Sequence, residues 1–266
     1  MPELPEVETI TRQLEKVLVG QKIIKVEVLA KKSFGGNPKS VERKKIVRVW
    51  RRAKMAIIDL GNVYLLIHLK MTGQLVYDGE NLPNKHTRVI FRLNKGSLFF
   101  NDQRLFGWMK VVDKEKLAKE FKNYGPDIID KMVTEDYFYG LLQKSRRAVK
   151  LVIIDQAKIA GVGNIYANEG LWCAEINPGR LGNQVNREEA DKLLECLRQV
   201  INKGIKYGGA TASDDSYVNA SGRGGKYQEH FLVYEQAGKE CNRCKSVIRK
   251  IRLGGRGTYF CPECQR

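Results

Sequence analysis

The sequence predicts an α+β chain in three parts: a helix beside an antiparallel β-sandwich, then a helical domain, then a short cysteine-stapled β-hairpin. Three observations predict it. Apolar residues recur at helical spacing as far as Gly20, then give way to short Val-, Ile- and aromatic-rich runs punctuated by Gly, Asn, Asp and Pro. Helical spacing returns from about Lys114. Two Cys-x-x-Cys pairs, Cys241/Cys244 and Cys261/Cys264, close the chain. At 266 residues it is long enough for two compact domains, each with its own core.

The opening helix begins near Pro5 or Glu6. Val7, Ile10, Leu14, Val17 and Leu18 form its apolar stripe, Gly20 stops it, and Glu6 and Glu8 suit the positive end of its dipole. Strands follow at Lys22–Leu29, Lys45–Trp50, Met55–Leu60, Val63–Leu69, Arg88–Leu93, Ser97–Phe100 and Trp108–Val112. So many short strands call for a two-layer sandwich. Glu115–Asn123, Thr134–Lys144, Arg146–Gln156, Asn164–Ala174 and Arg187–Tyr207 read as helices. Residues 208–230, rich in Gly, Ser, Asp and Asn, read as a mobile loop. The expected domains are 1–125, 126–236 and 237–266, with Gly125-Pro126-Asp127 starting the first linker.

Lys and Arg number 47 against 30 acids, a net charge of +17 spread along the chain. Such an excess favours a polyanionic partner, nucleic acid before others. No apolar run approaches the roughly 20 residues of a membrane span. Glu3, Glu6 and Glu8 stand where a signal peptide needs positive charge, so a soluble, cytoplasmic protein is expected.

The two Cys-x-x-Cys pairs have the spacing of a tetrathiolate zinc site. With four thiolates the site is closed to substrate, so the expected zinc is a single structural ion. Its binding, worth on the order of 10 kcal/mol, folds so short a hairpin. The finger carries Arg243, Lys245, Arg249, Lys250, Arg252, Arg256 and Arg266 against the acid Glu263, a composition suited to phosphate. Cys173 and Cys196, alone in helical stretches, are expected to be buried, inert thiols.

Met1-Pro2-Glu3-Leu4-Pro5-Glu6-Val7-Glu8-Thr9 resembles the opening of the formamidopyrimidine-DNA glycosylases. The resemblance continues through Arg51-Arg52-Ala53-Lys54, His68-Leu69-Lys70-Met71-Thr72-Gly73, Asp102-Gln103-Arg104-Leu105-Phe106-Gly107, Gly161-Val162-Gly163-Asn164-Ile165-Tyr166-Ala167 and Gly257-Thr258-Tyr259-Phe260-Cys261. Physical chemistry points the same way. Pro2 is small enough for Met1 to be removed, which frees a secondary amine; an α-amino group has a pKa of roughly 8, so a useful fraction is neutral at pH 7. A neutral amine can attack C1′ of deoxyribose, displace the base and leave an iminium that drives β-elimination. Glu3, directly adjacent, fits the acid/base role.

The resemblance implies further roles. Glu6 supports the chemistry. Met71, Arg104 and Phe106 fill the gap left by an extruded base, Arg104 reading its partner. Lys54, His68, Lys150, Asn164 and Arg256 form a phosphate clamp; Lys54 also assists elimination, and Arg256 is grouped with the catalytic residues. Asn164, after Gly161-Val162-Gly163, suits a helix-two-turn-helix whose helix N-terminus meets a phosphate. The implied partner is duplex DNA carrying oxidised bases or abasic sites, bound by a monomer and cut by β,δ-elimination.

Two positions depart from the family pattern. Leu105 stands where many members are basic, and the 208–228 loop is slightly longer and more acidic in its middle. The sister branch resembling endonuclease VIII, which removes oxidised pyrimidines, shares the Pro-Glu chemistry. Leu4, the Arg104/Phe106 pair and Val7-Glu8-Thr9 favour the purine branch. A zinc-finger protein that binds DNA without cutting it is the rival of a different class.

Overall fold

The computed structural model describes residues 1–79, 82–212 and 216–266. The chain forms two compact units, Met1–Asn123 with Gly204–Gln228, and Tyr124–Lys203 with Glu229–Arg266.

The first unit opens with helix α1 (Leu4–Leu18), three residues earlier than its apolar stripe requires. Val7, Ile10, Leu14 and Leu18 are fully buried, whereas Val17 of the expected stripe is exposed. The strands are β1 (Ile23–Val28), β2 (Phe34–Gly35), β3 (Arg48–Arg52), β4 (Met55–Asp59), β5 (Tyr64–His68), β6 (Gly73–Tyr77), β7 (Thr87–Leu93), β8 (Ser97–Asp102) and β9 (Trp108–Val112), followed by helix α2 (Lys114–Phe121). Among the described residues they form two sheets, ordered β1-β7-β8-β6 and β2-β9-β5-β4-β3. All pairings are antiparallel except that of the two-residue β2 with β9. One apolar core joins α1 to the inward faces of both sheets, through Ile58, Leu65, Ile67, Phe91, Leu98 and Phe100 among others. Strand β6 falls outside the expected strands, because Met71-Thr72-Gly73 reads as a loop and leaves too short an apolar run.

Gly204–Gln228 also belongs to this unit, although the sequence division places it with the helices. Tyr217 and Ala220 enter the sandwich core, Ala220 N–H donates to Gln13 Oε1, and Tyr77 N–H donates to the Ala220 carbonyl. The loop is therefore tied to α1 and β6. Its acidic Asp214-Asp215 lies outside the described residues.

The second unit contains α3 (Glu135–Gln143), α4 (Val149–Ile153), α5 (Asn164–Ala174), most of α6 (Arg187–Lys206) and the hairpin of β10 (Arg249–Leu253) and β11 (Arg256–Phe260). Helix α4 is shorter than expected because Ala148 pairs with Leu181, and Val149 N–H bonds the Arg180 carbonyl; extended backbone delays the helix. Helix α5 is buried almost all round. Its Glu169 carboxylate accepts N–H groups of Leu232, Val233 and Tyr234, which lead into the finger. Burial raises the Glu169 pKa, against those hydrogen bonds. No described helix is long and apolar enough to cross a membrane.

One expectation is overturned. Cys173 and Cys196 are not inert thiols but a disulfide, with Cα atoms 5.8 Å apart. Their one-dimensional separation hides the pairing; α5 and α6 meet side by side and bring the two sulfurs together.

Candidate active site and nucleic-acid interface

Pro2 and Glu3 are buried at the start of α1, where Glu3 is the N-cap. Glu6, 1% exposed, bridges two backbone donors: Oε2 accepts Glu3 N–H at 2.8 Å, and Oε1 accepts Ala210 N–H at 2.8 Å. It thus ties the candidate nucleophile's neighbour to the 204–228 segment. Tyr217 OH donates to the Gly208 carbonyl, and burial with the nearby Glu6 charge pushes its pKa up. Gly209 must be glycine here: φ is +84°, and a Cβ would lie 2.9 Å from Glu6 Cγ.

Lys54 sits in the two-residue turn between β3 and β4, after Ala53 at φ +54°. Arg51 holds this turn: NH1 donates to the Ala53 carbonyl at 2.7 Å, and Nε pairs with Glu8 Oε2 at 2.8 Å. Burial opposes it, yet Arg51 and then Arg12 hold the Glu8 carboxyl below the usual range. The second turn of α1 therefore fixes the backbone that presents Lys54. His68 ends β5 opposite Met55. Burial, then the charges of Lys70 and Lys54, lower its pKa to about 3. Its Nδ1 accepts Lys70 N–H at 3.0 Å, so Nε2 carries the proton of this neutral ring. A neutral histidine can still donate that proton to a phosphate oxygen.

Met71 is half-buried, Arg104 is exposed, and Phe106 is 49% exposed with the Arg104 guanidinium 4.8 Å from its ring centre. An exposed ring that size suits insertion between bases better than core packing.

In the second unit, Arg256 is exposed beside the two-residue turn Gly254-Gly255, both at positive φ. Asn164 begins α5, and its Nδ2 donates to the Gly257 carbonyl at 3.1 Å. Lys150 lies in α4. It is fully buried, and Nζ donates to Thr258 Oγ1 at 2.7 Å, the Gly257 carbonyl at 3.0 Å and Asn168 Oδ1 at 3.3 Å. These hydrogen bonds tie α4 to β11. The sequence could not reveal this, since Thr258 and Asn168 carry no sign of their proximity.

The thiolate sulfurs of Cys241, Cys244, Cys261 and Cys264 lie within 4.8 Å of one another, as four ligands at about 2.3 Å from one zinc require. Trp172 Nε1–H donates to Cys241 Sγ at 3.4 Å, and Arg243 stacks on the same indole at 4.3 Å. Trp172, Val233 and Ile248 close an apolar shell around the cluster. The donor set fits zinc, and helix α5 supplies its outer hydrogen bond.

A sandwich that begins with a buried Pro-Glu pair, together with a helical unit that ends in a tetrathiolate finger, defines the class of zinc-finger DNA glycosylases. Three family models match in order: the formamidopyrimidine-DNA glycosylase N-terminal domain over residues 1–109, its H2TH domain over 124–216, and the zinc finger found in FPG and IleRS over 238–266. A formamidopyrimidine-DNA glycosylase of Pelotomaculum thermopropionicum is 40% identical over 276 residues, spanning 100% of this chain and 99% of that protein. One from Streptococcus pneumoniae is 37% identical at the same coverage. Among solved structures, a Lactococcus lactis FPG mutant bound to a Fapy-dG containing DNA superposes with a TM-score of 0.93 at 34% identity, covering 100% of both chains. The Thermus thermophilus MutM (FPG) protein gives 0.91 at 35% identity, covering 99% of this chain and 98% of that one. The chain belongs to the formamidopyrimidine-DNA glycosylase family.

Proposed function

We propose that this chain is a bifunctional DNA glycosylase and abasic-site lyase of base excision repair, acting on oxidised purines in duplex DNA. The observation that carries the reading is the N-terminus: Pro2 and Glu3 are buried at the head of α1, with Glu6 holding the Glu3 backbone. Once Met1 is removed, the Pro2 amine attacks C1′ of the lesion nucleotide, the glycosidic bond breaks and the base departs with its electron pair. Loss of the amine proton leaves an N,O-acetal at C1′; the C1′–O4′ bond then breaks, O4′ takes up a proton as the sugar ring opens, and the nitrogen lone pair forms the iminium joining Pro2 to C1′. Glu3 exchanges protons at the sugar. Lys54 assists β-elimination, in which a C2′ proton leaves and the 3′ phosphate departs. Arg256 serves δ-elimination at the 5′ phosphate, so a one-nucleotide gap remains. His68 and Asn164 hold phosphates, and Met71, Arg104 and Phe106 occupy the gap in the stack. Zinc supplies no chemistry to these steps; bound by the four cysteines, it holds the hairpin that carries Arg256.

Support comes from relatives: the similar Lactococcus lactis protein has been solved with Fapy-dG containing DNA and with abasic-site DNA. Duplex DNA is the partner, the protein acts as a monomer, and its compartment is the bacterial-type cytoplasm with the nucleoid. Borohydride added to protein and a duplex with 8-oxoguanine opposite cytosine is expected to trap an adduct that mass spectrometry maps to Pro2. Absence of an adduct from protein proven to lack Met1 would leave a DNA-binding zinc-finger protein instead. The Lactococcus lactis protein has also been solved with DNA containing an oxidised pyrimidine, so the branch is read from preference: faster trapping on 8-oxoguanine than on thymine glycol supports the purine branch, and the reverse order the pyrimidine branch.

A further inference from the structure

Strands β6 and β8 pair with Gly73 opposite Asp102, so the Met71 and Arg104–Phe106 loops leave the sheet at one edge. Asp102, fully buried, sits between them. Its Oδ1 accepts the Thr72 hydroxyl and, at 3.2 Å, Arg104 N–H; its Oδ2 accepts Gly107 N–H at 2.6 Å. Thr72 Oγ1 also accepts from Arg104 N–H at 3.1 Å. One carboxylate holds both loops.

The backbone needs such a hold. Lys70 and Leu105, one on each loop, have φ of +54° and +56°, the left-handed region that costs a side-chain-bearing residue about 1–2 kcal/mol. Each loop is also locked by close approach. A Cβ on Gly73 would lie 2.4 Å from the Leu69 carbonyl oxygen, and one on Gly107 would lie 2.9 Å from Phe100 Cζ. A third segment is tied to the Met71 loop: Ser216 Oγ donates to the Met71 carbonyl at 3.2 Å, and Gln74 Nε2 donates to the Ser216 carbonyl at 2.9 Å.

We propose that Asp102 is a positioning residue that couples the two loops, so that Met71 and the Arg104–Phe106 pair enter the duplex as one unit. This rests on the reading of those three residues as the wedge. The site presents three donors, and only an acceptor-only group satisfies all of them. An amide in place of the carboxylate turns an NH2 towards one of those donors and releases one loop from the other.

The test pairs two assays. Stopped-flow fluorescence of a duplex with 2-aminopurine beside 8-oxoguanine follows opening of the stack. Borohydride trapping on single-stranded DNA with a preformed abasic site needs no wedge. Asp102→Asn and Thr72→Val are expected to slow the fluorescence step about tenfold, the effect of losing one charge-assisted hydrogen bond, with a smaller loss in single-strand trapping. Thr72→Ser, which keeps the hydroxyl, is expected to restore the step. If Asp102→Asn and Thr72→Val leave the step unchanged while Phe106→Ala slows it, Asp102 does not couple the loops. An equal loss in both assays overturns the proposal too, because it means the whole sandwich is disturbed. Where Phe106→Ala slows nothing either, the wedge reading itself falls, and the coupling with it.

Discussion

Lys150 Nζ donates to Thr258 Oγ1 at 2.7 Å, which fastens α4 to β11 two residues beyond Arg256. Lys150→Met removes the donor to Thr258 Oγ1, while the Gly257 carbonyl keeps Asn164 Nδ2 and Asn168 Oδ1 keeps Tyr259 N–H, and is expected to cost about 1–2 kcal/mol of stability. Its signature in DNA binding is specific. Affinity falls, but the slope of log K against log salt stays as it was, because no phosphate contact is lost. Lys54→Met is expected to reduce that slope by about 1. Fluorescence-anisotropy titrations across a salt series separate the two, and a reduced slope for Lys150→Met returns that residue to the phosphate clamp.

The Glu8–Arg51 pair makes a prediction at the Lys54 turn. The Arg51 side chain is only 5% exposed, so Glu8→Ala removes a charge-assisted hydrogen bond from a buried guanidinium and is expected to destabilise the protein by about 2 kcal/mol. The same change loosens the Ala53 carbonyl, so strand cleavage at a preformed abasic site slows more than binding weakens. Urea denaturation and single-turnover cleavage measure the two parts.

His68 sets a pH dependence. Its folded pKa, about 3, lies below the ordinary 6.5, so between those values the unfolded chain binds the extra proton. The neutral ring's contribution is complete above pH 6.5 and is lost as pH falls towards 3. Its slope in the middle of that window is about 1.4 kcal/mol per pH unit. His68→Asn, which does not titrate, is expected to lose less stability than the parent between pH 7 and pH 5. Identical pH profiles would show that His68 titrates normally.

The Cys173–Cys196 bond closes a loop over a sequence separation of 23. In the chain-entropy view that restriction of the unfolded state stabilises the fold by about 3 kcal/mol. A reductant in the presence of saturating zinc is expected to lower the melting temperature, and Cys173→Ser with Cys196→Ser to abolish that response. Alkylation of both residues in unreduced, native-purified protein would show that they are thiols.

Zinc removal has a local optical reporter. Trp172 donates its indole N–H to Cys241 Sγ and carries Arg243 on its face, so stripping the metal is expected to alter its emission as the hairpin unfolds. Comparison with Trp172→Phe isolates the signal among the chain's three tryptophans.

The parts legible in the sequence were those with a local period or a fixed spacing. The apolar stripe of α1, the strand runs and the cysteine pairs each state their geometry within a few residues. Strand β6 was hidden because Gly73 and its neighbours read as a turn. Glu6 was legible as a first-turn acid, but not as the acceptor for Ala210, which lies far along the chain. Asp102 stood in view inside Asp-Gln-Arg-Leu-Phe-Gly, yet its function depends on Thr72 lying across the sheet.

The two-layer N-terminal half, the helices, the zinc ligand set and the Pro-Glu start could all be read from the chain's order of residues. Covalent order and side-chain period suffice for these. The folded chain was needed to show that Lys150 is buried against Thr258, that Cys173 meets Cys196, and that one carboxylate accepts from two loops. Each of those depends on which groups are removed from water together, and a buried ammonium, thiol or carboxylate takes its role from partners that chain folding, not chain order, places beside it.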